Sequence, residues 1–290
     1  MRWLLITGLA LAAHAQTLQQ DLKARIGAFQ GSVSLYAKNL STGATVEIRG
    51  SDPVRTASTI KLPILCSVFD AVARGQAKWD EMLTITAPEK VKGSGVIGTE
   101  FSDGVKLPLR DVVHLMMVLS DNTATNMTIE RFGADMVNAY LDRIGIANTR
   151  AMRKILGAGE PGVSAAGKLA ENQKYGLGKS TPRDMVTILE HLERGEIVSA
   201  DASKEILAIM KRCQDNTGIR RRLDDTPIAN KTGALDALRA DVGIVYTKTG
   251  PIAMAIYVDG MPSPDWSPDN AGSVLIADLA KLLVDGLSKK

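Results

Sequence analysis

Strand-like patterning at both ends of this chain encloses a long helical stretch, and no other feature restricts its fold as much. Ser32 to Leu40 and Thr45 to Arg49 read as strands, joined by the Ser41-Thr42-Gly43 turn. Asp241 to Thr247 and Pro251 to Asp259 repeat the pattern around a tight Lys248-Thr249-Gly250 turn. Between them, from about Ser58 to Lys211, apolar residues recur at helical spacing, as in Leu62 to Arg74, Arg110 to Leu119, Met136 to Ile144 and Pro182 to Arg194. Residues 17–29 and Asn270 to Leu287 read as terminal helices. The economical solution is a two-lobed α/β fold. Residues 16–53 and 206–290 build one antiparallel sheet with flanking helices, and 54–205 form an inserted all-helical lobe. A cleft between lobes is a favoured place for a site.

Hydrophobic residues make up 45%, charged residues 23%, and mean hydropathy is +0.01, values of a globular chain with a real core. The formal charge of +3 is too small to argue for nucleic acid or an anionic membrane as partner. Three histidines and two cysteines are too few for a Cys₄ or Cys₂His₂ zinc site in the mature chain, and no metal or cofactor is expected. Arg2, the apolar run Leu4 to Ala13 and the small-x-small triplet Ala13-His14-Ala15 read as an export signal occupying residues 1–15. The expectation is a secreted or periplasmic monomer with no membrane segment after cleavage. Export would permit a Cys66–Cys213 disulfide, but both are expected as buried free thiols.

Three short motifs carry chemistry. Ser58-Thr-Ile-Lys61 opens an apolar helix, so serine and lysine stand one turn apart on one face. The helix N-terminus offers free N–H groups to an oxyanion, and a lysine made neutral by burial could take the serine proton. Ser120-Asp-Asn122 follows the next long helical pattern; its hydroxyl could relay a proton and its amide could hold a carbonyl, although such a tripeptide also suits a plain helix cap. Lys231-Thr-Gly-Ala234 opens a strand-like run whose lysine and hydroxyl can bind a carboxylate, with glycine allowing close approach. Phosphate-loop readings fail, because Leu169 follows GVSAAGK where a hydroxyl is needed. His114 and His191 fall within helical patterns and no G-x-S-x-G elbow occurs, which argues against a Ser-His-Asp hydrolase.

In this order the motifs resemble those of the class A β-lactamase and penicillin-binding protein superfamily. Leu107 to Asn126, Thr181-Pro-Arg-Asp-Met185 and Gln214-Asp-Asn-Thr-Gly218 extend the resemblance over nearly all of the mature chain. It implies a β-lactamase/transpeptidase-like fold acting on a small β-lactam or a D-Ala-D-Ala-like peptide. Ser58 would be the acylated nucleophile and Lys61 its proton partner. Ser120 would pass the proton to the lactam nitrogen, and Asn122 would position the substrate amide. Lys231 and Thr232 would receive the substrate carboxylate, with Arg239 behind them. The N–H groups of Ser58 and Ala234 would form the oxyanion hole, and Gly93-Ser-Gly-Val96 would rim the cleft.

One family element is not found at its spacing. Class A enzymes carry a glutamate, in E-x-x-L-N, that activates the deacylating water. Counting forward from Thr149-Arg150 puts Ile155 there, and counting back from Asn172 puts Lys168 there. The loop is about ten residues longer than the family's, an insertion of small entropic cost. Glu171, beside Asn172, is the first candidate base and Glu160 the second. The choice between a β-lactamase and a DD-peptidase-like or slow acyl-serine enzyme turns on this loop.

Overall fold

The computed structural model describes residues 17–156 and 159–288; the export-signal reading of 1–15 lies outside them. The expected sheet forms. Strands β1 (Ser32–Asn39) and β2 (Thr45–Ile48) come from the N-terminal side, and β8 (Ile228–Leu235), β9 (Leu238–Thr247) and β10 (Gly250–Asp259) from the C-terminal side. Their order is β2-β1-β10-β9-β8, antiparallel throughout. Helices α1 (17–27) and α10 (Ala271–Leu287) cover one face.

Both faces of the sheet are buried, so its central strands read as nearly continuous apolar runs. In β10, Ile252, Met254, Ile256 and Val258 pack with Leu22, Leu279 and Leu283 on the α1–α10 side. Ala253, Ala255 and Tyr257, on the alternate positions, face the helical side.

The inserted segment holds α2 (Lys61–Ala73), α3 (Ile97–Glu100), α4 (Leu109–Val118), α5 (Asn122–Phe132), α6 (Ala134–Arg143), α7 (Ala165–Lys168), α8 (Pro182–Glu193) and α9 (Ala200–Lys211). Every α2 residue from Lys61 to Phe69 is buried, as in a helix at the centre of a lobe. Pro63 sits in its first turn, where no intrahelical N–H bond is lost.

Two features correct the expected division. The inserted segment is not all-helical: β3 (Val54–Arg55), β7 (Gly178–Ser180) and β6 (Arg150–Ala151) form one small ladder, and β4 (Met82–Thr84) and β5 (Lys106–Pro108) another. In addition, α8 packs on β10 and β1 of the main sheet. Glu190 accepts a 2.7 Å bond from Lys38, Glu193 accepts one at 3.0 Å from Tyr246, and Arg183 stacks 4.4 Å over the Tyr36 ring. The boundary drawn at residue 205 falls inside α9, and membership of a lobe is set by packing, as by what the apolar stripe Met185, Ile188, Leu189 and Leu192 of α8 covers.

Cys66 and Cys213 are both buried and free. Burial pushes the Cys66 thiol up to about 12.

Candidate active site

A cleft of about 1020 Å³ brings together Ser58, Ser120, Asn122, Thr232, Ala234 and Arg239 from separate parts of the chain. Ser58 lies half-buried in the 3₁₀ turn Ala57–Ile60 that leads into α2. Ala57 before it has φ +45° and Ser120 has φ +55°, left-handed conformations that cost an L-residue on the order of 1–3 kcal/mol and are held only by firm surroundings. Strand β8 runs close against the turn. A Cβ on Gly233 would stand 2.9 Å from the Thr56 carbonyl oxygen and 3.2 Å from the Ser58 nitrogen, so only glycine leaves room.

Lys61 is fully buried. Its Nζ donates to the Ser120 carbonyl (2.7 Å), to Ser120 Oγ (3.2 Å) and to Asn122 Oδ1 (3.1 Å). Burial, then the nearby Lys231 charge, holds its pKa well below the ordinary lysine value, against a weaker opposing pull from Asp121. Lys231 is also fully buried, and its Nζ donates to Ser120 Oγ at 2.9 Å and to the Thr232 carbonyl at 2.7 Å. Its pKa too is lowered, chiefly by burial. Two lysine donors thus occupy the acceptor sites of one hydroxyl and leave the Ser120 O–H free to donate elsewhere.

Asp121 locks the neighbouring loop. It caps α5 through the Ala124 N–H (2.8 Å) and accepts from Val96 N (2.7 Å) and Ile97 N (2.9 Å). Asn122 donates to the Lys92 carbonyl at 3.3 Å, which fixes its amide while one N–H stays available.

At the other end, Thr232 and Arg239 line the cleft while Lys231 lies behind them. The Arg239 guanidinium donates to the carbonyls of Leu235 (2.6 Å), Leu238 (2.7 Å) and Asp265, and lies 4.8 Å from the Trp266 ring. It is a fixed positive charge more than a free arm.

Two acids here went unnoticed in the sequence. Asp215 lines the cleft and accepts from Thr217 N (2.9 Å) and Oγ1 (2.7 Å). Burial opposes its charge, but hydrogen bonds from Thr217 and Thr232 and the Lys231 charge outweigh that and hold it below the usual carboxylate range. Asp241 is wholly buried on β9 opposite Thr232, and burial pushes it up to about 7 against hydrogen bonds from Asn230 and Ile219 N. It ties Ile219 N (2.8 Å) to the sheet, and a Cβ on Gly218 would meet its Oδ2 at 2.5 Å. The Gln214-Asp-Asn-Thr-Gly218 segment was the available signal: its acid is hydrogen-bonded from Thr232 on the KTG strand, and its glycine packs against Asp241 on the neighbouring β9.

The long loop does not bring its glutamates to the cleft. Glu171 is exposed on the 3₁₀ segment Ala170–Tyr175, Glu160 is exposed, and neither lines the cleft. Asn172 is turned into the loop itself, donating to the Ala166 carbonyl (3.0 Å) and accepting from Lys179 (3.0 Å), which leaves Glu171 facing solvent. Lys168 is exposed as well. The wall is made instead by Arg153, Ile155, Leu156, Tyr175 and Leu177. Asn126 clamps it, accepting from Ile155 N (2.8 Å) and donating to the Ile155 carbonyl (3.1 Å). Beneath, buried Lys154 pairs with Glu130 at 2.6 Å and Glu89 at 3.7 Å. His114 and His191 lie outside the cleft lining.

An antiparallel sheet with a helical insert, and a serine, two buried lysines and a second serine gathered at their junction, define an enzyme of the class A β-lactamase and penicillin-binding protein superfamily. The β-lactamase enzyme family matches residues 17–287, and the chain belongs to it. A β-lactamase of Amycolatopsis lactamdurans is 25% identical, over 93% of this chain and 83% of its own length. The β-lactamase of Sphaerobacter thermophilus DSM 20745 superposes with a TM-score of 0.79 at 27% identity, covering 93% of this chain and 96% of that one. A leucine-to-glutamate variant of PBP-A, solved as an acyl-enzyme complex with penicillin G, superposes with a TM-score of 0.81 at 28% identity, covering 95% and 97%.

Proposed function

We propose that this β-lactamase-like enzyme opens β-lactam rings by acylating Ser58 and that its acyl-enzyme is long-lived. The observation that carries the reading is Ser120 Oγ held between Lys61 and Lys231 in the cleft that Ser58 also lines. Lys61, whose pKa burial lowers, gives up one of its three donated bonds in its neutral form, and the freed lone pair takes the Ser58 proton. The freed Oγ bonds to the lactam carbonyl carbon, and the N–H groups of Ser58 and Ala234 receive the oxyanion. As the tetrahedral carbon collapses, its bond to nitrogen breaks, and the proton passes from Lys61 through the Ser120 hydroxyl to that nitrogen. Thr232, backed by Lys231 and Arg239, takes the ligand carboxylate.

Release of the acyl group requires water and a base within hydrogen-bond reach. Ile155 and Leu156 offer none, and Glu160 and Glu171 do not line the cleft. Asp215, the carboxylate that does line the cleft, is held by Thr217 and Thr232 at the β8 end, so Lys61 and Ser120 remain as weak substitutes. The same constellation suits acyl transfer from D-alanyl-D-alanine peptides, and the apolar wall at Ile155 favours this second reading as far as slow hydrolysis is concerned. The charged start, apolar run and Ala13-His14-Ala15 triplet support export, with the monomeric enzyme working outside the cytoplasm.

Mature protein treated with benzylpenicillin and weighed intact should carry one adduct, on Ser58, that is absent in Ser58→Ala. A chromogenic cephalosporin should give a burst of one equivalent followed by a low steady rate. Linear turnover with no accumulated acyl-enzyme would overturn slow release, and adduct formation by Ser58→Ala would overturn the nucleophile. Sequencing the N-terminus of exported protein tests cleavage after Ala15.

A further inference from the structure

Arg153 occupies an unusual position for a cation. It lines the cleft beside Ile155, Leu156, Tyr175 and Gly176, a largely apolar wall, and is half-buried there. Its one hydrogen bond from NH1 goes to the Lys154 carbonyl at 3.1 Å. A Cβ on Gly176 would lie 3.9 Å from its NH2, so the end of the guanidinium sits against a residue that presents no side chain to it. Among the described residues it has no salt bridge, whereas Lys154 next to it has two. Three carboxylates, Asp265, Asp215 and Asp236, counter the burial of Arg239, while no carboxylate counters that of Arg153. The undescribed loop residues, Gly157 and Ala158, carry no charge that could pair with it.

A partly desolvated charge without a partner leaves its desolvation uncompensated, and a planar guanidinium is built to take a carboxylate through two parallel bonds. The cleft, at about 1020 Å³, has room beyond a bicyclic lactam, being at the upper end of sites that take drug-sized ligands. The ligand carboxylate expected at Thr232 uses a different wall, contributed by β8.

We infer that Arg153 is a specificity-determining residue that receives a second carboxylate, carried on the acyl side chain of the ligand. This rests on the acyl-Ser58 reading. The favoured acyl donors are then dianions, with one acid recognised at Thr232 and the other at Arg153, on either side of the bond that Ser58 attacks. Both β-lactams with an acidic side chain and peptides with a side-chain carboxylate ahead of the scissile bond fit this chemistry.

Carboxybenzylpenicillin and benzylpenicillin differ by one such carboxylate and make a matched pair of probes. Acylation rates of the full mature protein by each are to be followed by intact mass. The expected ratio favours the dianion by about tenfold, the scale of one hydrogen-bonded charge pair. It should fall as salt is raised from low to near 0.5 M, because the pair is partly open to solvent. In Arg153→Gln the ratio should drop to about one or below, and Arg153→Lys should retain part of it. Lys106→Gln, on distant β5, should keep the wild-type ratio. Equal acylation by the two penicillins, a salt-independent ratio in the wild type, or an unchanged ratio in Arg153→Gln would each overturn the inference while leaving Ser58 acylation standing. Failure of both penicillins to label Ser58 would instead overturn the acyl-serine reading and this one with it. A wild-type ratio of one, or one that salt does not change, overturns the inference even where a variant does not fold.

Discussion

Lys61 and Lys231 meet at one hydroxyl, and neither is balanced by a carboxylate close enough to restore its ordinary pKa. Burial is the larger cause of the depressed Lys61 value and the Lys231 charge the second. A base that must lose its proton makes acylation rise with pH through its folded pKa. Lys231→Met removes one depressing cause, so the rising limb of the acylation profile should move to higher pH even as the rate falls. Stopped-flow acylation across pH reads the limb; an unmoved limb would leave burial as the sole cause. Asp241 has the opposite sense of shift. Its folded pKa, about 7, lies above the ordinary 3.8, so the folded state holds the proton longer than the unfolded chain. Its contribution is fully present below about pH 4 and is lost as pH rises to about 7, by at most on the order of 4 kcal/mol. Urea titrations at pH 4.5 and 7.5 should show this loss in the wild type and a flatter dependence in Asp241→Asn.

Among elements, β8 and the long loop set what the nucleophile can do. β8 approaches the Ser58 turn only because residue 233 lacks a side chain. In Gly233→Val the strand must retreat from Thr56 and Ser58, and with it the Ala234 N–H. Acylation should fall by about 10²-fold or more, the cost of a misplaced oxyanion donor, while far-ultraviolet circular dichroism stays that of the wild type. On the proposed acyl-Ser58 reading, the loop between β6 and β7 governs release. Its clamp by Asn126 acts on the Ile155 backbone, so Ile155→Glu changes the side chain facing the cleft and leaves the clamp in place. The acyl-enzyme should then decay about 10²-fold faster, the lower end of what a positioned general base supplies. Decay of the adduct after ligand removal measures this; an unchanged lifetime would mean that a missing base is not what limits release. Both elements were partly legible in the sequence. The KTG strand announced itself through residue types, and the forward count from Thr149-Arg150 reached Ile155. The outward turn of Glu171 was not legible, because it follows from Asn172 bonding Ala166 and Lys179 within the folded loop.

At the scale of the molecule, the sheet is closed by the two ends of the chain, and α8 belongs to the sheet face although its sequence lies within the insert. The pairing of Arg55, at the start of the insert, with Asp259 on β10 is a further tie, at 2.5 Å. Lobes joined this way should unfold together. Calorimetry of the mature protein should give one transition whose calorimetric and van't Hoff enthalpies agree, and two separated peaks would contradict the shared packing of α8. The sequence by itself determined the antiparallel sheet and the central helix after Ser58, and it marked Ser58, Lys61, Ser120 and Lys231 as candidates, because hydrophobic period and short motifs are local properties of a chain. It did not determine the lobe to which α8 belongs, the roles of Asp215 and Asp241, or the unpartnered state of Arg153. Those depend on which groups meet after distant segments pack, and on how far water is excluded there. Burial and the distance between charges, which set both a pKa and the need for a partner, come into existence only with the tertiary structure.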